Sequence, residues 1–229
     1  MPAQEDEAHR VYQRTLSFCG LLAPPLILAA MLMIGFDDRP QREDSQIIDL
    51  VADHKVRFML GYVLYAGALT FMALAVLHVA ARARESGSAT LGGIGPVLFL
   101  IGAAAIILGG HGIMGAALIP GMQAASARDY YLESLNDSPA TVVAQVGAIF
   151  CALCLVMLAA AVWRTRLFAG PAAVAVPVGF VALGLAFVVT AGWTVSTFSL
   201  LLPVSGAIAL YPFVWRELMP DAATAVSTA

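Results

Sequence analysis

Apolar residues run in six long blocks, at 17–36, 58–80, 91–120, 141–163, 167–191 and 196–215, with the charged residues gathered between them. Crossing the hydrocarbon core of a bilayer takes about 20 apolar residues, because a helix rises about 1.5 Å per residue. Every block meets that length. Segments of about ten residues with strict in-and-out alternation, the mark of a transmembrane barrel, do not occur in the pattern. The pattern therefore predicts an all-α fold: a polytopic membrane helix bundle with six transmembrane helices. The first block lacks a small-residue cleavage site and reads as a retained span rather than a secretory leader.

Composition sharpens this picture. Of 229 residues, 60% are apolar and only 12% charged, with a mean hydropathy of +0.85. A soluble domain carries about 25% charged residues, so a soluble globular protein, a disordered chain and a disulfide-stapled secreted domain are all excluded. The net charge of −3 and pI near 5.7 argue against nucleic acid as a partner.

Orientation follows from Lys and Arg near the ends of the spans. With a cytoplasmic N-terminus, the inner side holds Arg10, Arg14, Arg82, Arg84, Arg164, Arg166 and Arg216. The outer side holds Arg39, Arg42, Lys55, Arg57 and Arg128. Four of those outer cations lie in the first loop among Asp37, Asp38, Glu43, Asp44, Asp49 and Asp53. Both termini are therefore expected in the cytoplasm. The chain divides into a tail at 1–16, a transmembrane domain at 17–215 with outer loops at 37–57 and 121–140, and a tail at 216–229. The extreme ends, 1–7 and 221–229, read as irregular. Trp163 and Trp215 abut Arg164 and Arg216 at inner ends, and Trp193 sits at an outer turn. Indole rings favour that interfacial layer.

Apolar attraction cannot join helices inside lipid, so close backbone approach and polar contacts must do it. Gly95, Gly102, Gly109 and Ala116 recur every seven residues and mark a smooth packing stripe on the third span. Gly61, Ala66, Ala68, Ala73 and Ala75 give the second span small patches. Pro24-Pro25, Pro177 and Pro203 are expected to bend their helices. A faint echo relates Arg82, Arg84 and Gly95-Pro96 to Arg164, Arg166 and Gly170-Pro171. Any inner hairpin needs cations and a helix restart, which is the plainer account of it.

Chemistry-bearing residues are sparse. His78 and His111 are the only ionisable side chains placed well within the blocks, and no carboxylate lies at mid-membrane, which argues against ion-coupled transport. His78 falls near the inner end of its span and His111 in the outer third of its own. One haem therefore cannot use both. His78 is expected to point its ring toward the headgroups beside Arg82. On the outer side, Asp49, Asp53 and His54 precede the second span and His111 lies just below them, a set that fits a divalent metal with an open position. The plainer account is a hydrated loop face, with His111 bonded to a backbone carbonyl. Cys151 and Cys154 form Cys-x-x-Cys in mid-helix, away from the helix N-terminus that supports a thiolate, and Cys19 stands alone; all three read as small buried groups. Ser205 has no histidine placed to activate it, and no phosphate loop or dinucleotide fingerprint appears.

An N-terminal span, an outer loop ending His54-Lys55-Val56-Arg57-Phe58, an arginine-ended second span and a glycine-rich third follow one another. In this order the chain resembles a loose group of uncharacterised bacterial six-helix integral membrane proteins, over roughly residues 10–215. The resemblance implies the architecture and brings no activity with it. The expectation is a non-catalytic protein of a bacterial cytoplasmic membrane, an accessory or lipid-binding component without a cofactor. Its partners would be membrane lipids and, through the third-span stripe, other membrane subunits or itself. The alternatives are a metal-assisted enzyme using the outward-facing His/Asp group and a small-molecule transporter.

Overall fold

The computed structural model describes residues 2–34, 54–87, 89–109, 139–190 and 200–218. The described residues form six α-helices: α1 Pro2–Ile34, α2 Lys55–Glu85, α3 Ala89–Gly109, α4 Pro139–Thr165, α5 Ala172–Thr190 and α6 Leu201–Leu218. Four stretches are long and apolar enough to cross a membrane: Arg14–Ile34, Lys55–Glu85, Val142–Thr165 and Ala172–Val189. The apolar parts described for α3 and α6, Gly93–Gly109 and Leu201–Arg216, are shorter. The all-helical expectation holds. Helix α1 starts at Pro2, so the segment 2–7 expected as irregular is helical.

The helices pack as a ring in chain order, each against the next, and α6 returns to α1. The registers show alternating directions. A Cβ built on Gly61 would meet Ile34, Met33 and Ala30, whereas one on Gly20 would meet Ala75, so α1 and α2 are antiparallel. The same construction pairs Gly95 with Cys154 and Gly102 with Gly147, so α3 and α4 are antiparallel too. Six helices in an open ring would leave a hole. Here α2 fills it: from Met72 to Ala80 most of its residues are buried, and it reaches α4 as well as its chain neighbours. Met72, Leu183 and Pro24 converge on Gly206 of α6, which closes the middle of the bundle.

Two details depart from the expectation. Pro203 lies in the first turn of α6, where the missing N–H had no helical partner to lose. The proline within that helix is Pro212. Gly95-Pro96 sits inside α3, while Gly170-Pro171 precedes α5. The two dipeptides occupy different structural positions, and the echo between the halves does not carry into the fold.

Candidate functional site at the arginine-bearing end

The antiparallel order collects Arg82, Arg84, Arg164, Arg166 and Arg216 at one end of the bundle, because each ends a helix or follows one. Lys55 and Arg57 open α2 at the opposite end. There the Arg57 guanidinium donates to the carbonyl of Leu32 at 2.9 Å, placing a cation at the C-terminal end of α1, where the helix dipole favours it. The Tyr62 hydroxyl nearby donates to the carbonyl of Ile107 and ties α2 to α3.

Of the expected metal group, only His54 is described. It is exposed at the N-cap of α2, and its side chain makes no capping hydrogen bond. Asp49, Asp53 and His111 lie outside the described residues, as do Ala116 and Trp193. Among the described residues no three His, Cys, Asp or Glu side chains gather as a metal set.

The glycine stripe is a packing face, but its partner is α4 of the same chain. A Cβ on Gly102 would lie 2.5 Å from the Gly147 carbonyl oxygen, 2.7 Å from Cys151 Sγ and 2.9 Å from the Cys151 nitrogen. A Cβ on Gly95 would lie 3.5 Å from Cys154 Sγ, and Gly109 is buried. An external subunit therefore has no access to this part of the stripe. Cys151 and Cys154 are free and buried, filling the space opposite Gly102 and Gly95, as expected of small buried groups. Ser205 is buried, and its hydroxyl donates back to the carbonyl of Leu201 in its own helix.

His78 does not face the headgroups. Only 4% of it is exposed, because this half of α2 is enclosed by its neighbours. Its ring meets Phe213 edge-on at 5.2 Å between centroids. Phe213 in turn meets Phe168 at 6.0 Å, and the Arg216 guanidinium lies 5.8 Å over the Phe168 ring. Arg216 also donates to the carbonyl of Leu167. A chain of ring contacts thus ties α2 and α6 to the α4–α5 turn. The sequence reading missed it, since its members are scattered from position 78 to position 216. The one local signal was Phe213 and Arg216 three residues apart on a single helix face.

The α4–α5 turn has its own geometry. Leu167 N–H donates to the Val162 carbonyl at 3.5 Å and Arg166 N–H to the Trp163 carbonyl at 3.4 Å. This is the Schellman pattern, which places Arg166 in the left-handed region at φ 48°. At the end of α2 the left-handed residue is Gly87, at φ 102°. Beside the turn, the indoles of Trp163 and Trp215 are exposed. Arg82 pairs with the exposed Glu85 at 3.3 Å.

Taken together, this end offers cationic guanidinium groups beside amphipathic rings, on an apolar body whose exposed side chains include Leu100, Ile149, Leu185 and Ile208. Such an arrangement can hold anions at the edge of an apolar layer. Comparison with protein families, with curated proteins and with solved structures finds no match to this chain.

Proposed function

We propose that the chain is a six-span protein of a bacterial cytoplasmic membrane, with both termini cytoplasmic, acting as a non-catalytic, lipid-binding accessory component. Two features support six spans. Helix α3 is 21 residues long, roughly 30 Å, and apolar sequence continues beyond it. In addition α3 and α6 are flanked in the ring by helices that are long enough to cross. The arginine-bearing end supports the orientation through the preference of Lys and Arg for the cytoplasmic side. The bacterial membrane is what the resemblance noted in the sequence implies.

The observation that carries the lipid-binding reading is the pairing of exposed arginines and tryptophans at one end of a bundle with an apolar interior. The polar or charged residues buried among those described are Ser17, His78 and Ser205, all neutral or titratable rather than permanently charged. A catalytic or ion-conducting interior would need more. No subunit-joining role is proposed for Gly95 and Gly102, because α4 of the same chain covers them.

Lipids extracted from the detergent-purified protein and quantified by mass spectrometry test this reading. Retention of a selected lipid class, enriched over its share in the membrane, is the expected result. Retained lipid that mirrors bulk composition would remove the reading. Elemental analysis of the same sample checks the alternative: a stoichiometric metal lost in His111→Ala would favour a metal-assisted enzyme. Reporter fusions at each terminus check the orientation, with a periplasmic signal from either one overturning it.

A further inference from the structure

The arginine at the end of α4 stands where a side chain is at a disadvantage. A residue closing a helix in the left-handed region is usually glycine, because a Cβ there crowds the backbone. The chain follows that rule at Gly87, yet keeps Arg at 166. Backbone strain of this kind persists where the side chain has a use. Arg166 is exposed, as is Arg164 two residues earlier. The nearby Arg216 is committed to the Leu167 carbonyl and the Phe168 ring, so it holds the turn rather than a ligand. Trp163 precedes this pair in the chain, and Trp215 adjoins Arg216, both with exposed rings.

We propose that the α4–α5 turn is a binding site for the headgroup of an anionic phospholipid. Arg164 and Arg166 hold the phosphate through charge-assisted hydrogen bonds, and Trp163 and Trp215 lie at the glycerol level of the same lipid. Guanidinium matches phosphate geometry with paired donors, and indoles favour the depth where headgroup meets acyl chain. The turn is kept in place by Arg216 and Phe168, so the Arg164 and Arg166 guanidinium groups are presented from a fixed base. This inference rests on the lipid-binding reading and names its lipid class and its site.

The test compares the full-length chain with Arg166→Gly and with Arg164→Ala/Arg166→Gly in nanodiscs of phosphatidylcholine containing increasing phosphatidylglycerol. Thermal unfolding is followed in each. The wild type gains several degrees in Tm as phosphatidylglycerol rises. In pure phosphatidylcholine, Arg166→Gly is more stable than wild type, because glycine relieves the left-handed backbone. Its phosphatidylglycerol-dependent gain falls by at least half, and the double variant loses it. A variant that keeps the full gain overturns the site while leaving a lipid-binding function standing. A wild type without any preference for phosphatidylglycerol, and with no selectively retained lipid, overturns both. An equal gain from inorganic phosphate in pure phosphatidylcholine overturns the lipid assignment, and a less stable Arg166→Gly overturns the strain argument.

Discussion

Placing one methyl group on Gly102 tests the closest approach met by any described glycine. In Gly102→Ala the new Cβ would meet the Gly147 carbonyl oxygen at 2.5 Å, Cys151 Sγ at 2.7 Å and the Cys151 nitrogen at 2.9 Å. Two of these atoms are backbone, so no rotamer change relieves them. Restoring an ordinary 3.4 Å contact takes a local separation of α3 and α4 of about 0.9 Å. A gap of that size forfeits about a quarter to a half of the dispersion well for the atoms it parts. Overpacking costs about 1–3 kcal/mol, and alanine returns about 1 kcal/mol of helix propensity. With backbone in the way, the upper part of the cost applies, and the net loss is about 1–2 kcal/mol. Gly95→Ala is the internal control. Its Cβ would have 3.5 Å to Cys154 Sγ, an ordinary contact, so the propensity gain of about 0.5–1 kcal/mol survives. The two alanines, one heptad apart, should therefore act in opposite directions and differ by about 1.5–3 kcal/mol. Denaturation of the detergent-solubilised protein by sodium dodecyl sulfate, followed by tryptophan fluorescence, reads the difference. Adding Cys151→Ala to Gly102→Ala should rescue only part of the loss, because the two backbone obstructions stay. Equal stability of the two glycine variants, or a more stable Gly102→Ala, would refute the close approach and the α3–α4 register together.

Three further outcomes are expected. Gly179→Ala should cost about 1–2 kcal/mol in the same assay, since its Cβ would lie 2.7 Å from the Ala209 nitrogen and 2.9 Å from its Cα, again backbone atoms of a facing helix. His78→Ala should cost about 2 kcal/mol or more from lost packing and the lost edge contact to Phe213; a histidine facing the headgroups would cost almost nothing, so an unchanged midpoint returns His78 to the interface. Glu85→Ala should shift stability by less than about 0.5 kcal/mol, because its pair with Arg82 is exposed and one helical turn in span; a larger loss would mean the pair belongs to a network.

The alternation of apolar blocks and charged links carried the helical class and the approximate limits of its elements. The reason is local: in lipid each backbone must satisfy its own hydrogen bonds, so a long apolar run has little choice but a helix. The gathering of Arg82, Arg84, Arg164, Arg166 and Arg216 at one end was likewise readable, since an even number of helical blocks separates them. The glycine heptad announced a packing face for the same reason. Which helix fills that face is not a local property. Gly102 meets Gly147 and Cys151 because α3 and α4 are antiparallel at one particular register, and any helix with a small residue at the right height would have read equally well in sequence. The place of His78 was decided in the same way. Its neighbours along the chain, with Arg82 four residues on, suggested an interface, but a ring of six helices needs one to close its middle, and that half of α2 does so. Burial of the imidazole, its contact with Phe213 and the anchoring of the α4–α5 turn by Arg216 all follow from that closure. They depend on distances between helices, which the order of residues along a single helix does not contain.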